Sequence, residues 1–143
     1  GRAEIMDASH PGGLGGTFGG NPVSSAAVVA VFSEVEKHGL LAEARRVEKT
    51  LRPALLALQK KHPVIADVRG IGAMLAIEFV DTVSGKPAAD VAKAVQTYAL
   101  NHGVLILTAG TFGNILRFLP PVVITDDQLL EAVAIMDDAL AAL

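Results

Sequence analysis

The chain has 143 residues, enough for one domain with a real core, and 51 % of them are hydrophobic, which excludes a disordered segment. A net charge of −3 and an aromatic content of 4 % supply neither the basic footprint nor the stacking surface of a nucleic-acid binder, and nothing draws the chain to an anionic membrane. Cysteine is absent, so disulfides and thiolate catalysis are excluded, and a reducing cytoplasm is the expected setting.

The first residues, GRAEIMD, carry no initiator methionine, and the chain is expected to be part of a longer polypeptide. Residues 12–22 then read GGLGGTFGGNP, with glycine at 12, 13, 15, 16, 19 and 20. Their spacing fits neither a dinucleotide fingerprint nor a Walker-type loop, and the plainer reading is a turn-rich connector. Asn21 can cap a helix with Pro22 at its first position. That helix, Val23–Lys37, is small and apolar almost all round, and is expected to be buried on most sides until it ends at His38-Gly39.

A second helix is predicted over Leu40–Lys61, with Leu41, Ala44, Val47, Leu51, Leu55 and Leu58 at helical spacing and a kink at Pro53. Val64–Val80 changes period and reads as one or two strands interrupted by Gly70 and Gly72, with Ser84–Pro87 as a turn. Ala88–His102 is a third helix, stopped by Gly103. Val104–Leu107 is expected to be a buried strand, 108–114 a loop, and Ile115–Leu119 a strand ended by Pro120-Pro121. The last helix opens on the capping box Thr125-Asp126-Asp127-Gln128 and carries Leu129, Leu130, Val133, Met136 and Leu140. The sum is two helices followed by an α+β unit with a sheet of three or four strands.

Three of the four histidines, His38, His62 and His102, end helices, where a ring satisfies last-turn carbonyls; no pair has metal-ligand spacing, and no metal site is expected. His10 is a loop residue without a partner in view. The lysines fall on polar faces or turns, not in the apolar setting that activates an amine. Asp126-Asp127 and Asp137-Asp138 read as helix-end charges. Arg117 stands out: within ILRFL its neighbours want burial, and a buried guanidinium needs an anion. Its planar fork suits a carboxylate. A ligand, an internal salt bridge and a water-facing edge strand all remain open for it. Arg69, in DVRGIG, reads as part of a structural bend.

Taken together, GRAEIMD, GGLGGTFGGNP, HPVIADVRGIGAMLAIEF and FGNILRFLPPVVITDDQL, in this order and across the whole chain, resemble the class III aminotransferases, which depend on pyridoxal 5'-phosphate (PLP). The resemblance implies an α/β parent of PLP fold type I, with residues 1–39 ending its large domain and residues 40–143 forming the C-terminal small domain. It further implies that Thr17, with Gly16 beside it, meets the PLP phosphate of the neighbouring subunit of a homodimer or dimer of dimers. Arg117 falls where the family holds the α-carboxylate of glutamate or 2-oxoglutarate. No catalytic residue is expected in this chain, because the family's Schiff-base lysine lies upstream of the GRAE-type segment, and the chain alone is expected to be inactive. The implied reaction moves the amino group of 4-aminobutyrate to 2-oxoglutarate, giving succinate semialdehyde and glutamate. Ornithine and acetylornithine members have similar GGNP and LRF-PP segments, so the amino donor stays open. A free-standing carboxylate-binding α+β module is the alternative from another class.

Overall fold

The computed structural model describes residues 1–13 and 15–143. They divide into two compact units, Gly1–Gly39 and Leu40–Leu143. Leu14, inside the glycine-rich stretch, lies outside the described residues.

The first unit contains a single turn of helix, α1 (Ala3–Met6), and the long helix α2 (Pro22–Lys37). Asn21 caps α2 as its chemistry predicts: its side-chain oxygen accepts the amides of Val23 and Ser24 at 3.0 and 3.1 Å. At the other end His38 is the C-cap, its ring 3.0 Å from the Glu34 carboxylate. The expected burial of this helix is not met within the chain. No residue of α2 is buried, and Val23, Val28, Val29, Val31 and Phe32 are all largely exposed. One long helix has no second layer in a unit of this size to cover it.

The second unit begins with α3 (Leu40–Lys61), which buries Val47, Leu51, Leu55 and Leu58 along one stripe. Pro53 lies inside this helix, which continues through it to Lys61. A tight hairpin follows, β1 (Ile65–Ile71) and β2 (Met74–Phe79), joined by Gly72-Ala73. Gly72, at φ +58°, supplies the positive φ that a two-residue hairpin turn requires. Gly70 is more constrained: at φ +129°, an added Cβ would stand 2.1 Å from the Met74 carbonyl oxygen. The hairpin is tied back to α3 by Glu48, which accepts the Gly72 amide at 2.6 Å, and by Arg52, which donates to the Gly70 carbonyl at 2.6 Å.

Next come α4 (Ala89–Asn101), β3 (Leu107–Ala109), β4 (Ile115–Phe118) and α5 (Asp126–Ala141). The strands form one sheet in the order β1-β2-β4-β3, every neighbouring pair antiparallel. The capping box at Thr125 and Gln128 is present in both directions. The expected strand over 104–107 is displaced: β3 begins at Leu107 and takes in Thr108 and Ala109, leaving 110–113 as the turn. Only Ile106 of the VLIL run is buried, because a short edge strand covers one face at most. Leu130 also leaves the expected stripe and is exposed.

One core runs through this unit. Leu75, Ile77, Phe79, Leu116 and Phe118 alternate onto one face of the sheet and join the stripes of α3, α4 and α5. The alternate positions point the other way, and they carry the chemistry.

Candidate functional site

The strand period of two places Arg117 opposite Leu116 and Phe118, so its side chain is exposed although both sequence neighbours are buried. This corrects the expectation of a buried guanidinium. Arg117 is not on an edge strand either, since β4 lies between β2 and β3. In register it faces Ala76 on one side and Leu107 on the other. Half-exposed Met74 and Leu107, with part-buried Ile115, share this face with Asp67, Arg69 and Glu78, so the guanidinium projects from a surface that is apolar toward β3 and charged toward β1. Among the described residues it makes no salt bridge.

The other arginine of this face is satisfied. Arg69 is bound by Asp67 and by Glu78, each at 2.7 Å, and these contacts raise its pKa above the ordinary arginine value. The bend expected around it is the Gly70–Gly72 turn. Glu78 has a second partner, the side-chain amide of Asn114, at 3.3 Å. Asn114 is 1 % exposed and also donates to the Phe79 carbonyl at 2.8 Å. Sequence reasoning missed it, because a polar residue in TAGTFGN reads as loop. A groove of about 740 Å³ is lined by Arg117 together with residues of the segments 102–107 and 118–124 and of α5, chiefly leucine, valine, proline and isoleucine.

In the first unit Thr17 is exposed within the glycine-rich loop, where the Gly19 amide closes a turn onto the Gly16 carbonyl at 3.2 Å. Among the described residues the Thr17 hydroxyl has no hydrogen-bond partner. Among the described residues an added Cβ at Gly15 or Gly16 would meet nothing within 4 Å, and Gly16 is not one of the glycines at positive φ. No contact among the described residues therefore requires glycine at those two positions. An exposed hydroxyl on a turn flanked by glycines fits the phosphate end of PLP, which takes donors at close range. The rest of the cofactor has no match here: all six lysines are exposed.

His102 meets its expectation, its Nδ1 lying 2.8 Å from the Tyr98 carbonyl while the rings stack at 4.0 Å. His62 does not. Its Nε2 lies 2.6 Å from the Asp137 carboxylate, which Lys61 also holds at 2.6 Å, so Asp137 joins α3 to α5 and is no simple helix-end charge. Asp126 likewise takes a hydrogen bond from Arg46. Among the described residues no group of three or more His, Asp or Glu could hold a metal ion, and no helix is long and apolar enough to cross a membrane.

Comparison with known proteins returns one consistent relationship. The family model described as aminotransferase class-III matches residues 1–140. The chain is 47 % identical to the 4-aminobutyrate aminotransferase of Mycobacterium leprae, over 98 % of this chain and 31 % of that protein. It is 45 % identical to the 5-aminovalerate aminotransferase DavT of Pseudomonas aeruginosa, over 95 % of this chain and 32 % of that one. Among solved structures it resembles the acetylornithine aminotransferase of Elizabethkingia anophelis, with a TM-score of 0.75 and 34 % identity, covering 99 % of this chain and 34 % of that structure. The chain thus spans about a third of the length of the relatives it matches.

Proposed function

The chain belongs to the class III aminotransferases, and from that premise we propose that it is the C-terminal part of an enzyme moving the amino group of 4-aminobutyrate to 2-oxoglutarate. The reading is supported by relatives named 4-aminobutyrate aminotransferase, at 47 and 48 % identity, and at the level of the site by one observation. Arg117 is a guanidinium fork without a salt-bridge partner among the described residues, set in register on the sheet between Ala76 and Leu107, with Ile115 beside it.

Such a group binds a carboxylate through two parallel bonds. In this proposal Arg117 receives the α-carboxylate of 2-oxoglutarate or glutamate and fixes its orientation. The antiparallel ladders on both sides of β4 hold the arginine's backbone, so orientation costs little at the moment of binding. Residues 1–39 belong to the large domain and residues 40–143 to the small one. Thr17 donates its hydroxyl to the cofactor phosphate in the neighbouring subunit of a homodimer, and Gly16 leaves room for that approach. PLP, when bound, supplies the electron sink for exchange of the amino group. The chain's own residues bind and orient; none of its exposed lysines is suited to carry the cofactor.

Initial rates of the full-length holoenzyme test the assignment, with 2-oxoglutarate as acceptor and 4-aminobutyrate, 5-aminovalerate, ornithine or acetylornithine as donor. A preference for 4-aminobutyrate in kcat/KM is the expected result. The relation to a 5-aminovalerate aminotransferase makes that longer ω-amino acid the second reading, favoured if it gives the higher kcat/KM. Absence of transfer from all four donors would overturn both.

A further inference from the structure

We propose that Arg69 is a positioning residue for the carboxylate site: by engaging Glu78 it keeps that side chain off Arg117, and so leaves Arg117 free for the oxo acid. The inference rests on the role assigned to Arg117 above.

The sheet register places these groups together. Arg69 pairs with Ala76, and Ala76 pairs with Arg117, so the two arginines flank one alanine on the same open face. Glu78 lies two residues beyond Ala76 on that face, paired with Ile115, which makes it the diagonal neighbour of Arg117. Diagonal neighbours across antiparallel strands are about 7–8 Å apart, within reach of long side chains. Glu78 is therefore the carboxylate of this sheet best placed to neutralise Arg117 from within. It does not do so.

Both of its oxygens are engaged elsewhere: Oε2 by Arg69 at 2.7 Å, and Oε1 by the buried Asn114 amide at 3.3 Å. Asn114 is fixed by its own bond to Phe79, so it cannot follow Glu78 toward Arg117 without abandoning a buried contact. Arg69 also holds Asp67, and the trio of Arg69, Asp67 and Glu78 carries a net charge of −1. Removing the Arg69 charge would leave two uncompensated carboxylates on this face. The nearer one would then compete with the substrate for the Arg117 fork. Such competition raises KM for the oxo acid while leaving the rate at saturation intact, because saturating substrate displaces the internal carboxylate.

The test uses the full-length holoenzyme with 2-oxoglutarate and 4-aminobutyrate. Arg69→Gln is expected to raise the KM for 2-oxoglutarate about tenfold, with kcat within about twofold and the KM for 4-aminobutyrate unchanged. Adding Glu78→Gln to that variant is expected to return the 2-oxoglutarate KM to within about threefold of the parent. A purely structural role for Arg69 gives no such rescue, since the double variant loses more contacts. Should Arg69→Gln fail to fold, Arg69→Lys takes its place, because an ammonium cannot span both carboxylates as the fork does. An unchanged KM, or a rise that Glu78→Gln does not reverse, overturns the proposal. Arg117→Lys is measured alongside. If it slows the 2-oxoglutarate step and the Arg69 variants do not affect KM, the Arg69 inference alone falls; if it leaves that step unchanged, the Arg117 assignment falls first.

Discussion

Asn114 and Phe79 bind each other twice: the Phe79 amide donates to the Asn114 carbonyl at 2.8 Å, and the Asn114 side-chain amide donates to the Phe79 carbonyl at 2.8 Å. The exchange extends the β2–β4 ladder one residue past its last strand pair and sets the register that brings Arg117 opposite Ala76.

Asn114→Ala removes the donor and leaves a small void at a position 1 % exposed. The Phe79 carbonyl keeps its second donor, the Ala88 amide at 3.1 Å, so it is not orphaned, and what is lost is the pair of bonds to Phe79 and Glu78. The expected cost is about 1–3 kcal/mol. Asn114→Asp places an acceptor against the Phe79 carbonyl and the Glu78 carboxylate, and should cost more. Urea unfolding midpoints of the three proteins give the order; an alanine variant as stable as the parent would contradict it.

Two glycines make opposite predictions. Gly70→Ala forces a Cβ to within 2.1 Å of a carbonyl oxygen at a φ of +129°, so the hairpin must open or shift. A loss of at least 1–3 kcal/mol is expected from the backbone conformation alone, roughly. Gly16→Ala meets neither clash nor strain among the described residues, and thermal unfolding of the chain should be unchanged by it. In the holoenzyme the same substitution should weaken PLP binding.

Thr17→Ala removes one hydroxyl donor to a phosphate, a charge-assisted bond worth about 1.5–3 kcal/mol. PLP affinity in the full-length protein should fall by about one to two orders of magnitude. Fluorescence titration of the apoenzyme with PLP measures it. Unchanged affinity would leave Thr17 as a turn residue only.

The Asp137 carboxyl is held below its ordinary value of 3.8, first by the hydrogen bond from His62 and then by Lys61. A carboxyl with a depressed folded pKa contributes stability that is complete above its unfolded value and disappears as the pH falls through the folded one. The parent should therefore lose stability between pH 5 and strongly acidic conditions more steeply than Asp137→Asn. Denaturation midpoints over that range check this, and parallel curves for the two proteins would refute it.

Helices α2 to α5 and the break at Gly70 and Gly72 were legible because local chemistry and tertiary packing agree at them, whereas one strand or two stayed open there. Asn21 with Pro22, Thr125 with Gln128, and Gly70 with Gly72 each meet a backbone need that the neighbouring residues alone define. Arg117 was legible as a residue and not as an environment. Its apolar neighbours suggested burial, whereas the strand period sends it to the face opposite theirs. Asn114 gave no signal, since burial of one polar side chain in a glycine-rich turn depends on where β2 ends. The Arg69–Glu78 pair depends in the same way on hairpin register, nine residues apart in sequence and adjacent across the strands. Helix α2 shows the reverse: its composition demands cover that this chain does not supply.

The central claim is that Arg117 holds the carboxylate of the oxo acid, and the most direct test is single-turnover absorbance spectroscopy of the full-length Arg117→Lys holoenzyme, one half-reaction at a time. Lysine keeps the charge and loses the fork. Losing the partner of a desolvated carboxylate costs about 2–5 kcal/mol, so the half-reaction with 2-oxoglutarate should slow by about two orders of magnitude or more. The half-reaction with 4-aminobutyrate should change several-fold at most. Equal slowing of the two half-reactions with PLP still bound, or no slowing of either, would contradict the account.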